Sequence, residues 1–122
     1  MATLNVIGVS PELIAVVTSI LMEVARAESK HPVWPDCHIK QIAFITEESG
    51  ELTRAGNHID EGIGTFKEVR EEAIQTASTC IRFLLKLRDT EIAYYANPIE
   101  PVILDFLTDD DHESIRKEYG HE

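Results

Sequence analysis

Carboxylates at two places in the chain have the spacing of a cation site. The first group is Glu47-Glu48-Ser49-Gly50-Glu51, and the second is Glu68-Val69-Arg70-Glu71-Glu72-Ala73-Ile74-Gln75. Both lie in strongly apolar helical patterns. At about 100° per residue, the helix carrying the first group turns an arc of Phe44, Ala55, Ile59, Leu52 and Ile45 inward. Glu48 falls in the middle of that arc, Glu51 at its edge near Phe44, and Glu47 further toward solvent. An ionised carboxylate beside a core is costly unless something offsets its desolvation, and a divalent cation is the usual partner. Residues three apart are helix neighbours, so Glu48 and Glu51 can converge on one ion.

On the following helix, Glu72 sits at the edge of an apolar stripe, with Gln75 and Glu68 beside it and Glu71 pointing further out. Glu68 and Glu72, four apart, repel each other in a bare helix, and a cation would remove that conflict. Two antiparallel helices facing each other would place Glu48, Glu51, Glu72 and Gln75 around one cavity. An all-oxygen ligand set suits Mg2+, with Mn2+ as a substitute, rather than a soft metal.

The elements that must position these groups can be read from caps and breakers. Ser10-Pro11-Glu12-Leu13 is a helix start, and His31-Pro32 and Trp34-Pro35 end that helix near Ser29. Leu13, Ile14, Val16, Val17, Ile20, Leu21, Val24 and Ala25 cover more than one of its faces, which favours a subunit interface. Asp36 is the expected cap of a second helix, from about Cys37 to Asn57. A loop follows through Gly56-Asn57 and Asp60-Glu61-Gly62-Ile63-Gly64. Thr65 can cap a third and longest helix, to about Asp89, with a stripe of Phe66, Val69, Ala73, Ala77, Cys80, Leu84 and Leu87. Glu91 to Tyr95 can add a turn. Residues 98–107 form a short helix or an arm, and Asp109-Asp110-Asp111 can cap a last helix from His112 to Tyr119. With no repeat and no set of strands, the expectation is an all-α antiparallel bundle of four to five helices completed by homo-oligomerisation.

Composition bounds the partners. The chain has 122 residues, enough for one domain, and 43% of them are apolar. A net charge of −11 argues against a nucleic-acid polymer or an anionic membrane surface, while leaving open a phosphate compound bridged by cations. Cys37 and Cys80 lack metal-ligand spacing and read as reduced thiols. The N-terminus lacks a signal-peptide pattern. The best apolar run, Leu13 to Met22, is about half the roughly 20 residues a span needs. The expected location is the cytoplasm, with no membrane partner.

On the residues already quoted, the chain resembles the MazG-like family of all-α nucleoside triphosphate pyrophosphohydrolases, in its phage and mobile-element form. That family's signature is EExxE, a spacer, then ExxD on two consecutive helices. Here it reads Glu47-Glu48-Ser49-Gly50-Glu51, then Glu72-Ala73-Ile74-Gln75, with Trp34-Pro35 ahead of it and Ile81-Arg82-Phe83-Leu84 behind. The resemblance covers roughly residues 10–90 of a single domain, leaving 96–122 as a C-terminal extension. It departs at Gln75, where the family most often has Asp; an amide oxygen adds no charge and binds a hard cation more weakly.

The resemblance implies hydrolysis of a ribo- or deoxynucleoside triphosphate between the α and β phosphates, giving the monophosphate and pyrophosphate and serving nucleotide pool cleaning. It implies Glu48, Glu51, Glu72 and Gln75 as Mg2+ ligands and Glu47 as the group orienting or deprotonating water. Trp34 would stack on the base, and Lys67, Arg82 and His38 would contact substrate. It also implies a homodimer or a dimer of dimers. The competing reading from a different class is a non-catalytic helical assembly protein with a degenerate metal site. A ferritin-like di-metal site would need ExxH pairs on bundle helices. Glu28-Ser29-Lys30-His31 and Glu118-Tyr119-Gly120-His121 have the spacing but fall at helix ends.

Overall fold

A computed structural model describes residues 8–96, and these form three helices and no strand: α1 (Pro11–Lys30), α2 (His38–Asp60) and α3 (Phe66–Ala96). The fold class is all-α. The described residues hold three helices, not four to five; the elements expected over 98–107 and 112–119 lie outside the described residues. By packing, the chain divides at Thr90 into a unit Met1–Thr90 and a unit Glu91–Glu122. Of the second unit only residues 91–96 are described, and there the rings of Tyr94 and Tyr95 meet edge to face at 5.2 Å.

Two of the three described helices begin at a side-chain cap. Ser10 Oγ accepts from the Leu13 N–H at 3.2 Å, and Pro11 opens the first turn of α1. Thr65 Oγ1 accepts from the Glu68 N–H at 3.2 Å and caps α3. The start of α2 differs from expectation: Cys37, not Asp36, occupies the N-cap position, and no side chain caps it there.

The end of α2 also differs. The helix runs through Gly56-Asn57 to Asp60, because an interior glycine costs only about 1 kcal/mol. The chain turns where backbone geometry demands it, at Gly62, whose φ is 78°. The N–H groups of Ile63 and Gly64 then both donate to the His58 carbonyl, at 2.9 and 3.0 Å. Gly64 packs so tightly there that a Cβ would lie 2.7 Å from the His58 Cβ. α3 likewise continues past Asp89, taking in Glu91 to Tyr95.

Pairings across the helices set their directions. Gln41 meets Thr90 while Glu48 and Glu51 meet Glu72, so α2 and α3 run antiparallel. Ser19 to Arg26 face Glu71 to Gln75, and the His31 carbonyl meets Arg82, so α1 runs parallel to α3.

The described core is small. Val24 and Ala55 are its buried apolar residues, joined by buried Gln41, Ser78 and Thr90. Gln41 is wholly buried, and its amide nitrogen donates to the Pro35 carbonyl at 2.7 Å and to Thr90 Oγ1 at 2.9 Å. Much of the apolar pattern faces outward instead: Leu13 and Val16 on α1, Ile39 and Phe44 on α2, and Phe66, Leu84 and Leu85 on α3 are all exposed. Phe66, Leu84 and Leu87 therefore leave the inward stripe expected of α3. No helix among the described residues is long and apolar enough to cross a membrane.

Candidate metal centre

Glu48 and Glu51 project from one face of α2, a single turn apart, and Glu72 comes to meet them from α3. One carboxylate oxygen from each lies within 4.8 Å of the others. All three residues are partly buried. Glu48 Oε2 and Glu72 Oε2 are buried atoms with no hydrogen-bond partner. Charged oxygens removed from water without a donor carry a large desolvation penalty.

The electrostatics follow from this crowding. Burial pushes the Glu48 carboxyl above the ordinary carboxylate range, reinforced by the charges of Glu51, Glu72, Glu47 and Glu23. Burial also raises Glu72, with the Glu51 charge, a hydrogen bond to Glu51 and the Glu71 charge acting in the same direction. Arg54 opposes the shift at Glu72 without cancelling it. Three hard oxygen donors with two orphaned, buried lone-pair sites fit a small divalent cation that keeps some of its own water.

The other residues singled out by sequence take different places. Glu47 is exposed on α2, and its charge acts on Glu48. Gln75 is half-buried one turn after Glu72, and it lines a cleft of about 510 Å3 between α1 and α3. Lys67 is exposed and lies 3.9 Å from the Glu71 carboxylate. His38 is the half-buried first residue of α2.

Trp34 and Arg82 are brought together. The Arg82 guanidinium lies 4.8 Å from the centre of the indole ring and donates to the His31 carbonyl at 2.7 Å. The indole meets Phe44 edge to face at 5.8 Å, with its Nε1 buried and unpartnered. Arg82 thus ties the α1–α2 loop to α3.

Sequence reasoning missed three residues. Glu23 of α1 acts electrostatically on Glu48 and is gripped by Arg26 through both guanidinium branches, Nε to Oε2 at 2.8 Å and Nη2 to Oε1. Arg26 holds the Glu23 carboxyl below the ordinary range. The i, i+3 spacing of Glu23 and Arg26 beside Val24 was the available signal. The third is Gln41, for which the pattern carried no signal. Comparison of the chain with models of protein families, with curated proteins and with solved structures finds no match.

Proposed function

We propose that this protein is a Mg2+-dependent nucleoside triphosphate pyrophosphohydrolase, converting a ribo- or deoxynucleoside triphosphate to the monophosphate and pyrophosphate. The observation that carries the reading is the meeting of Glu48, Glu51 and Glu72, with two buried carboxylate oxygens that no donor satisfies. The EExxE and ExxQ spacing supports it from sequence. Glu48, Glu51 and Glu72 would hold Mg2+, or Mn2+ in its place, and Gln75 stands one turn from Glu72 as a weaker donor. Bound there, the cation supplies neutralisation of phosphate charge and acidification of water.

The chain's own groups do the rest. Glu47, exposed beside the site, accepts the proton of the attacking water on its carboxylate. The water oxygen bonds to the α-phosphorus, and the bond from that phosphorus to the bridging oxygen breaks, releasing pyrophosphate. The carboxylates give the triphosphate no direct attraction, so cation and nucleotide bind together.

The enzyme works as a homodimer or a dimer of dimers in this reading. Exposed Leu13, Val16, Phe44, Leu84 and Leu85 leave the three described helices with apolar faces that a second copy would cover. The same surface supports a second reading, a non-catalytic assembly protein. Thermal melting separates them: Mg2+ with nucleotide raises the melting temperature of the enzyme and leaves the assembly protein unchanged.

The direct test is pyrophosphate release from a panel of ribo- and deoxynucleoside triphosphates with Mg2+, comparing wild type with Glu48→Gln. Release by wild type and its loss in the variant is the expected result. Silence across the panel, with folded protein and excess Mg2+ or Mn2+, would turn the reading to assembly.

A further inference from the structure

Beside the carboxylates, α1 and α3 flank an open cleft of about 510 Å3, lined by Ser19, Met22, Glu23, Arg26, Ile74 and Gln75 together with Glu71, and Met22 is 69% exposed. That volume is in the range of sites for small organic ligands. Its chemistry is not that of a phosphate site. The lining carries two carboxylates against one guanidinium, and that guanidinium turns its Nε and Nη2 to the two oxygens of Glu23. An anion entering here meets net repulsion.

The remaining wall suits a flat, neutral group. Met22 and Ile74 offer apolar surface from opposite helices, and a polarisable thioether favours contact with an aromatic ring. Acceptor side chains outnumber donors in the polar lining, where Arg26 and Gln75 supply the N–H groups. Glu23 and Glu71 accept only, when ionised. Ser19 Oγ gives its hydrogen to the Ala15 carbonyl at 3.1 Å and keeps its lone pairs. Gln75 alone adds a free-standing amide that both donates and accepts. A complementary ligand therefore brings N–H groups.

We propose that the α1–α3 cleft holds the nucleobase of the substrate, and that its excess of acceptors selects a base bearing an exocyclic amino group. Cytosine, adenine and guanine carry one, whereas uracil and thymine present carbonyl oxygens in its place. This rests on the nucleotide reading above, with the phosphates at Glu48, Glu51 and Glu72 and the base one helix face away. Gln75 is then a specificity-determining residue. Its side chain spans from the turn after Glu72 into the cleft, which gives a reason for an amide where a carboxylate is the usual residue.

The chain makes a direct test simple, because it has two methionines, Met1 and Met22. Methyl-labelled methionine in the full chain gives one resonance from the cleft and one from the N-terminus. Cytidine and uridine are titrated separately, without divalent cation, with inorganic pyrophosphate as the control. The expected result is that cytidine moves the Met22 methyl and leaves Met1 in place, that uridine moves it several-fold less, and that pyrophosphate does nothing. Ile74→Trp, which fills the cleft, removes the cytidine shift. Gln75→Leu, on a half-buried surface and mild for folding, narrows the gap between cytidine and uridine.

A still Met22 resonance with both nucleosides overturns the proposal, as does movement by pyrophosphate alone. Equal shifts from cytidine and uridine overturn the amino-group selection. Because no hydrolysis is involved, failure here is separable from failure of the enzyme reading. Pyrophosphate release with an unresponsive Met22 sinks the cleft alone. A responsive Met22 without release in any nucleotide sinks the hydrolase alone.

Discussion

Two contact zones between α2 and α3 solve the same problem in opposite ways. Near the Thr90 end, Gln41 is wholly buried, yet its amide nitrogen finds both Pro35 and Thr90. About five turns away on α3, carboxylates from the two helices face one another, and two of their buried oxygens find no donor. The first zone is neutral: Gln41 Oε1 finds no donor, but the amide nitrogen ties α2 to Thr90 and sets register. The second consists of carboxylates whose burial and like charges raise their proton affinity and push the helices apart. An orphaned neutral oxygen costs far less than a buried charge without a donor, so the carboxylate zone is the strained one.

The sharpest break of that contrast is Glu48→Gln. Outer-shell changes at metal sites reduce activity by about 10- to 100-fold, so loss of a direct ligand lowers pyrophosphate release by more than about 100-fold. Stability of the cation-free protein rises in the same variant, because a repelling charge has gone. A steady-state assay and a urea titration of one preparation read both signs. Gln41→Ala has the reverse profile. It removes two buried hydrogen bonds and leaves a cavity, and urea unfolding should show a loss of about 2 kcal/mol or more.

Titration sharpens the comparison next. Glu48 and Glu72 have folded pKa values raised above the unfolded value of 4.5, so the folded state binds more protons in the window just above 4.5. Stability from these groups is fully present below 4.5 and is lost as pH rises through the folded values. Glu23, held low by Arg26, works the other way: its contribution is present above 4.5 and lost as pH falls through its lower folded value. Cation-free protein therefore melts higher at mildly acidic pH than at neutral pH, and saturating Mg2+ flattens that slope. A melting temperature that falls on mild acidification without Mg2+ would count against the crowded-carboxylate account.

Smaller effects mark the periphery. Arg82→Ala removes a stacking contact with Trp34 and a hydrogen bond to the His31 carbonyl, for a loss of about 1 kcal/mol by thermal melting. Lys67→Ala disturbs an exposed pair with Glu71 and changes stability by less than about 0.5 kcal/mol.

How far the chain could be read in advance follows the same division. Local signals were sound: Ser10 and Thr65 cap the helices they were expected to cap, and the prolines after His31 end α1. The meeting of Glu48, Glu51 and Glu72 was legible because a charge in the middle of an apolar arc conflicts with the helical period. The end of α2 was misread, because Gly56 looks like a breaker in one dimension, whereas a single interior glycine costs a helix only about 1 kcal/mol.

The contacts of Gln41 and Arg82 were illegible for another reason. Each acts through a specific partner on another helix or in a loop, 49 residues away for Gln41 and Thr90 and 51 for Arg82 and His31. Periodicity names a face but not what that face meets. The outward apolar residues show the limit again, since a stripe cannot say whether its own chain covers it.

The tight corner at Gly64 has a further consequence. Its backbone lies against His58 with no room for a Cβ, so the close crossover between α2 and α3 requires glycine at this position. The corner is therefore the ruler of the carboxylate site. Glu72 reaches Glu51 only because a glycine well beyond hydrogen-bonding range of either sets the phase of the helix that carries it. A side chain substituted at Gly64 would leave every acidic residue in place in the sequence and still force a shift between the helices that carry them.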